Sequence, residues 1–487
     1  MTTINTNIGA ITAQANMNRV NEDMNAAMGR LSTGLRINAA KDDAAGMAIA
    51  EKMTSQITGL NQAVRNATDA KNLLDTTEGA HVEVSNMLQR LRELAVQSSN
   101  DTNTASDRSN LNAEAKQLIT EVNRVAKDTT FNGMNVLDGT FANKQFQIGA
   151  DAGQVLNVSV DSAAATDIGA NTLTSNVSLN AGAAVTDTDI AAASTINITG
   201  FAGSSELTTT AGQSAEEMAA AVNNVSASTG VSASAETNVS LSGLSAADTV
   251  TFDINGVSIG TVAISDTGDL RGIADAINNQ SSRTGVTAKM GDTNGEIILT
   301  DASGADILIE DFTSGTTTST ITATALNMDG TATASTATVD DTNNDVAVSG
   351  QVELSSTKEF SVGTDTTTAG EVFFETAANT STLDSVAEID LSTQQGAADA
   401  LKVIDVALQK ISQSRSEIGA VSNRLDSTIS NLTNITVNVE AARSGVMDAD
   451  FAKESSEMAR AKILQQAGTA MLAQANKSSE NVLSLLR

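Results

Sequence analysis

The sequence predicts a multidomain chain with long antiparallel α-helical coiled-coil terminal domains, its N- and C-terminal segments paired, around inserted α+β, β-rich variable outer domains. Three observations carry this expectation. Apolar residues recur at three- and four-residue steps through both ends and lose that rhythm in the middle. The middle is rich in Thr, Ser, Ala, Gly and Asp and contains an internal repeat. The charge is split: residues 151–385 hold 30 acidic and four basic groups, a net of −26, which leaves only −4 of the chain's −30 for the two ends. Near-neutral ends can pack against copies of themselves, whereas a strongly acidic middle stays solvated and resists association.

At the N-terminus Ile4, Ile8, Ile11 and Ala15 step by 4, 3, 4, and after a break in phase Met17, Val20, Met24, Ala27 and Leu31 continue. Two further helical stretches follow, through Ile57–Ala95 and Leu111–Val125. The longest rhythm is C-terminal: of the twelve seam positions from Leu401 to Val439, nine are Leu, Ile or Val, with Arg415, Ser422 and Thr436 the exceptions. The last segment keeps the step with smaller residues, Ala461, Leu464, Gly468, Met471, Ala475, Ser478, Val482 and Leu485. Neither terminal helix is expected to hold itself together alone, since isolated helices are marginal in water. Two such helices around a large insertion predict an antiparallel terminal pair.

Between the helical ends, Asn132-Gly133 and Asp138-Gly139 favour tight turns, and FQIGA (146–150) with VLNVSV (155–160) predicts a small hairpin region on the long helices. AVNNVSASTGV (221–231) matches AINNQSSRTGV (276–286) at an offset of 55 residues. Two related α/β units are therefore expected near 193–247 and 248–302. VELSSTKEFSVG (352–363) and EVFFE (371–375) read as a returning hairpin.

Composition excludes several classes. The chain of 487 residues contains no Pro, Cys, Trp or Tyr. Without Cys there is no disulfide framework, thiolate nucleophile or Cys-ligated metal. A helical metalloprotease site needs two His one turn apart, and the single histidine, His81, reads as an ordinary surface or interface residue. DDTNND (340–345) lacks the Gly and terminal Glu of a Ca²⁺ loop in their places and reads as a solvated acidic loop. No catalytic residue, metal site or cofactor is expected. There is no basic patch for nucleic acid, no run approaching the ~18 apolar residues of a membrane span, and no Sec-type signal at the N-terminus.

The segment Arg30–Ala50, RLSTGLRINAAKDDAAGMAIA, places a break at Ser32-Thr33-Gly34 and Asp42 and Asp43 as caps of the next helix. It resembles the N-terminal signature of bacterial flagellins. So do TTEGA (76–80), LQRLRELAVQSSN (88–100) and FNG (131–133), and at the other end SRSEIGAVSNRLDSTISNLTN (414–434), EAARSGVMDADFAKE (440–454) and QQAGTAMLAQAN (465–476). The resemblance covers roughly 1–175 and 385–487, on both sides of a divergent middle.

What this resemblance implies is a structural subunit of the hollow helical filament used for swimming, about eleven protofilaments around, built by head-to-tail and lateral contacts that do not close. It implies that 1–42 with 450–487 form the coiled-coil inner tube, 43–175 with 385–449 the outer wall, and 176–384 a surface-exposed insertion. The polymerisation seam would comprise Ile4, Ile8, Ile11, Met24, Leu31, Leu464, Met471, Val482 and Leu485. Expected partners are further copies of the chain, the flagellar cap and hook–filament junction proteins, a C-terminal export chaperone and host flagellin receptors. A receptor patch would include Gln89, Arg90, Leu94 and Glu114 on the helix 89–97 with its neighbour, and 30–50 resembles the plant-sensed epitope. Export would use the flagellar type III apparatus without a cleaved signal, leading to an extracellular location. The competing readings are a hook–filament junction protein and a surface adhesin on a coiled-coil stalk; the many Ser and Thr of the middle could carry O-linked glycans in any of the three.

Because the chain lacks proline, X–Pro isomerisation is absent from its folding. Refolding of the denatured monomer, followed by stopped-flow circular dichroism, should therefore show no dominant phase slower than tens of seconds; a dominant slower phase would contradict the reading of a chain suited to rapid folding.

Overall fold

A computed structural model describes residues 6–183, 185, 190, 194–291, 293–315, 319–364, 373–374 and 378–484. Among these, the α-helices in chain order are α1 (Ile8–Thr33), α2 (Ala44–Ser98), α3 (Ala105–Asp128), α4 (Ala215–Asn224), α5 (Ser226–Thr229), α6 (Arg271–Asn278), α7 (Ser281–Thr284), α8 (Gln394–Met447) and α9 (Phe451–Ser484). The chain divides into two compact units, one of residues 1–75, 143–159 and 419–487, the other of 76–142 and 160–418.

The first unit contains α1, α9, the N-terminal part of α2 and the C-terminal part of α8. α1 ends at Gly34, whose φ of 72° is cheap only for glycine and whose N–H bonds Arg30 O at 2.9 Å. In the connector that follows, Asp43 caps α2 by accepting from Gly46 N at 2.8 Å. Asp42 instead turns back, accepting from Asn38 N and Ala39 N, and these bonds hold its carboxyl below the usual carboxylate range. A side chain at Gly46 would displace its neighbours, because a Cβ there would lie 2.7 Å from Ile37 Cδ1. α2 and α8 run antiparallel in this unit: Thr54 meets Arg443, Lys71 meets Asp426 at 2.6 Å, and Leu60, Ala63 and Leu432 form a small core with Val64 and Ile435. The hairpin Lys144–Gln147 with Val155–Val158 is tied to α2 through Asn66 Nδ2, which donates to Gln147 O at 2.9 Å.

In the second unit the remainder of α2 pairs with the start of α8. Ile404, Ile411 and Ile418, one heptad apart, are buried, as are Val84, Leu88 and Leu91. α3 opens with a capping box between Thr104 and Asp107. The tight turn at Asn132-Gly133, both with positive φ, joins Thr130–Phe131 to Met134–Asn135.

Arg415, a polar exception in the seam, has a partner in Glu78 of α2, its Nε donating to Oε1 at 2.8 Å. One turn along α2, His81 is 1% exposed, so it is not a surface residue as the sequence reading allowed, but an internal one. Both its ring nitrogens and Glu78 Oε2 lack a hydrogen-bond partner. Burial pushes the imidazole down to about 4, outweighing the attraction of Glu78.

The strand-rich part of the second unit is antiparallel throughout its described pairings. One sheet runs in the order Thr287–Met290, Glu296–Asp301, Ser232–Ser242, Gln351–Ser356, Gly169–Thr174, Thr382–Ser385; a second in the order Val257–Ser258, Thr249–Ile254, Ile307–Ser314, Asp345–Val348, Leu179–Gly182; a third in the order Ala378–Thr380, Ser361–Thr364, Thr195–Gly200, Gly203–Thr208. Two cores result. One gathers Ile196, Ile198, Met218, Val222, Leu354 and Phe360; the other gathers Ile273, Ile277, Leu299 and the stacked pair Phe252 and Phe312, 6.2 Å apart.

The internal repeat is visible in individual hydrogen bonds. Asn223, in the last turn of α4, brackets Ala233, donating to its O at 2.8 Å and accepting from its N at 2.9 Å; Asn278, the last residue of α6, does the same to Ala288 at 2.8 and 2.8 Å. Each copy then closes its four-residue helix with a glycine at positive φ, Gly230 and Gly285. Of the returning hairpin expected from 352–363 with 371–375, Gln351–Ser356 and Ser361–Thr364 lie in different sheets, the first paired to Gly169–Thr174 and Ser232–Ser242, the second to Thr195–Gly200 and Ala378–Thr380. Residues 371, 372 and 375 of EVFFE lie outside the described residues. The acidic loop at 340–345 is also less solvated than expected: Asp345 is buried and accepts from Asp311 N and Val185 N.

The position of His81 makes a pH prediction. Its folded pKa lies below the unfolded value, so the neutral form's stabilisation is complete above about pH 6.5 and is lost as pH falls toward 4, at up to about 1.4 kcal/mol per pH unit. His81→Leu should flatten the fall in monomer unfolding midpoint between pH 6.5 and 4.5; an unchanged slope would show that the imidazole is not the titrating group.

Candidate functional site

The terminal pair is built from α1 and α9. α1 is capped at its start by Asn7, whose Oδ1 accepts from Ala10 N at 3.0 Å while Nδ2 donates to Ala475 O at 3.2 Å. Further along, Gln465 donates to Asn21 at 2.8 Å, and Arg30 Nη1 meets Glu454 Oε1 at 3.3 Å. Numbers rise on α1 as they fall on α9, so the helices are antiparallel. The connectors beyond them also pair: Leu35 bridges Asp448, Arg36 N donates to Met447 O, and Ala449 N donates to Gly34 O. Arg36 adds a guanidinium bond to Val446 O at 2.6 Å.

The inward row of α1 is Ala10, Ala13, Met17, Val20, Met24, Ala27 and Leu31, a continuous heptad row without the phase break read from the sequence. On α9 the matching row is Glu454, Met458, Ala461, Gln465, Gly468, Leu472 and Ala475. These rows leave the pair thin. In α1 the one buried side chain is Ala27, and in α9 the buried side chains among those described are Glu454 and Ala461.

The larger apolar residues face away. Ile8 is 60% exposed, Ile11 56%, Ile463 and Met471 66% and Phe451 72%, and Leu464 and Met28 are exposed as well. Of the residues expected in the polymerisation seam, Ile8, Ile11, Leu464 and Met471 therefore stand outside the contact between α1 and α9 within one chain. Met24 and Leu31 are half-buried in the pair. Ile4, Leu485 and the side chain of Val482 lie outside the described residues. α1 carries Arg19 and Arg30 against Glu22 and Asp23, a net charge of zero, so nothing electrostatic opposes covering its apolar face.

The second candidate patch lies on α2 and α3. Arg90 is held by two acidic neighbours, its Nη2 2.8 Å from Glu114 Oε1 and its Nη1 2.8 Å from Glu93 Oε2, and this pairing raises its pKa further. Gln89, Arg90, Glu93 and Glu114 are exposed. Leu94 is 1% exposed and belongs to the core, so its side chain is not presented on the patch as expected. The signal was present in the sequence, since Leu94 lies three residues from Leu91 on the same apolar face. Among the described residues there is no cluster of His, Asp or Glu suited to a metal ion and no helix long and apolar enough to cross a membrane.

Comparison with known proteins agrees with this architecture. The bacterial flagellin N-terminal helical region matches residues 4–142, the bacterial flagellin C-terminal helical region matches 401–486, and the flagellin hook IN motif matches twice, over 195–248 and 251–303. The chain is 37% identical to the B-type flagellin of Pseudomonas aeruginosa, over 100% of this chain and 99% of that one. It is 35% identical to a flagellin of Salmonella typhimurium, over 99% of each chain. It is 31% identical to polar flagellin C of Vibrio parahaemolyticus, over 100% and 99%. With paired terminal helices, a strand-rich insertion and such identity from end to end, the chain belongs to the bacterial flagellins, the structural subunits of the extracellular flagellar filament.

Proposed function

We propose that the α1–α9 pair is the polymerisation element of this subunit, completed by neighbouring copies in the filament. The observation that supports the reading is the exposure of Ile8, Ile11, Met28, Phe451, Ile463, Leu464 and Met471 on a pair that buries almost nothing of its own. So many exposed large apolar side chains on near-neutral helices mark surfaces that other molecules cover. In this reading 1–42 and 450–487 form the inner tube, 43–175 and 385–449 the outer wall, and 176–384 projects into solvent. The −26 charge of residues 151–385 fits that outward position. About eleven protofilaments would close the tube laterally while the axial contact stays open.

The same exposure accounts for the remaining partners. Before export an apolar α9 needs cover, which a C-terminal chaperone would supply. A chain without disulfides or proline suits passage through the type III apparatus in an extended state. The cap and junction proteins would meet the terminal pair at the filament's ends. Host receptors would read Gln89, Arg90 and Glu114, with Leu94 supporting the patch from beneath. The chain's role in this reading is mechanical, with no reaction assigned to it.

Burying a Leu or Met side chain is worth about 1.5–3 kcal/mol, so Leu464→Ser with Met471→Ser should raise the critical concentration for growth from filament seeds more than about tenfold. Deleting residues 1–40 or 453–487 should abolish growth. Electron microscopy of seeded reactions reads both, and normal filaments from either truncation would overturn the assignment.

A further inference from the structure

We infer that the Arg30–Glu454 ion pair is the contact that selects the register of α1 against α9. The inference rests on the reading of this pair as the polymerisation element and adds a positioning role for two residues within it.

The apolar rows cannot select a register by themselves. Three interhelix polar contacts join 7 to 475, 21 to 465 and 30 to 454, so residue numbers across the pair add to between 482 and 486. In this register the inward rows set large against small: Met24 faces the level of Ala461, Met17 that of Gly468, and Leu472 that of Ala13. Sliding α9 by one heptad keeps that arrangement in one row, because Ala461, Gly468 and Ala475 are themselves seven residues apart, as are Met17, Met24 and Leu31, and changes it in the other only by setting Val20 against Met458 or Leu472. The seam is also loosely filled: a Cβ added to Gly468 would meet nothing within 4 Å. A heptad slip therefore costs little in packing.

Glu454 breaks this degeneracy. It occupies an inward position of the α9 row, and its side chain is 6% exposed. Oε1 is held by Arg30, while Oε2 is buried without a hydrogen-bond partner, beside a cavity of about 310 Å³ lined by Asp23, Ala27, Arg30, Arg460 and Leu464. A carboxylate so placed depends on its one cation. A slip by a heptad in one direction carries Glu454 to the level of Asp23, a like charge. A slip in the other carries it past Gly34, off the end of α1. Within α1, only the observed register sets the buried carboxylate level with a cation. The pair also lies within one to two turns of the Leu35–Asp448 bridge, so register is set at the connector end and extends from there toward the termini.

The absence of cysteine allows a direct test. Met17→Cys with Gly468→Cys reports the observed register as a disulfide, and Ala10→Cys with Gly468→Cys reports the slip that brings Glu454 to Asp23. Both pairs are placed in the full-length chain, alone and combined with Arg30→Glu, Glu454→Arg, Glu454→Gln or the double exchange R30E/E454R. Oxidation is read in monomer and in seeded filament, and growth is read separately by electron microscopy. With Arg30 and Glu454 intact, the 17–468 disulfide should dominate by about tenfold, the ratio that a 1.4 kcal/mol preference sets. Each single reversal and Glu454→Gln should lose that preference, and the double exchange should restore both it and growth. Unchanged 17–468 crosslinking in the single variants, or no restoration by the double exchange, would overturn the inference. Register lost in the single variants with growth unaffected would uphold the register role and instead count against α1–α9 as the polymerisation element.

Discussion

Everything in this subunit follows from a terminal helix pair that cannot bury enough of itself. A helix is stabilised in a protein mainly by packing one face, and a pair lined with Ala, Gly and a few Met offers a narrow, shallow contact. The larger apolar residues of α1 and α9 are turned outward, where a single chain has nothing to cover them. In the proposed reading the folded state of these segments is tied to association, and stability of the pair depends on the concentration of other copies.

The rest of the chain is arranged so that this incompleteness is confined to the ends. The strand-rich part closes two cores of its own, with Phe252 and Phe312 stacked in one and Phe360 in the other, and owes nothing to a neighbour for its burial. In each unit α2 and α8 bury large side chains, Ile404, Ile411 and Ile418 in one and Leu425 and Leu432 in the other. Charge follows the same division. Carboxylates concentrate where the chain is self-sufficient, and the near-neutral composition is kept for the surfaces that must come together.

How much of this was legible in the sequence depends on what kind of contact decided each position. The α2 and α8 seams were readable because large residues repeat on one face, and periodicity reports burial directly when the buried residues are the large ones. The terminal pair defeats that rule. There the inward rows mix Ala and Gly with Met17, Val20, Met24, Leu31 and Leu472, while the equally hydrophobic Ile8, Ile11, Leu464 and Met471 stand outside a single chain. The 55-residue repeat was visible as a string, and the Asn223 and Asn278 brackets give its physical reason: an amide that fixes the chain's return at the same place in each copy. Arg415 looked like a flaw in the seam until Glu78 supplied its partner, and His81 and Asp345 looked exposed because titratable residues usually are. Strand partners between residues 170 and 385 depend on pairings across a hundred residues or more, as between Gly169–Thr174 and Gln351–Ser356, and alternation in one strand says nothing about its neighbour.

The most direct measurement is hydrogen exchange of the backbone amides in 8–33 and 451–484, compared between dilute monomer and assembled filament. The account predicts rapid exchange in the monomer, strong protection in the filament, and little change in the strand-rich cores between the two. Terminal amides already protected in the monomer to the level of the α2–α8 seam would contradict it, because the pair would then be stable without its neighbours.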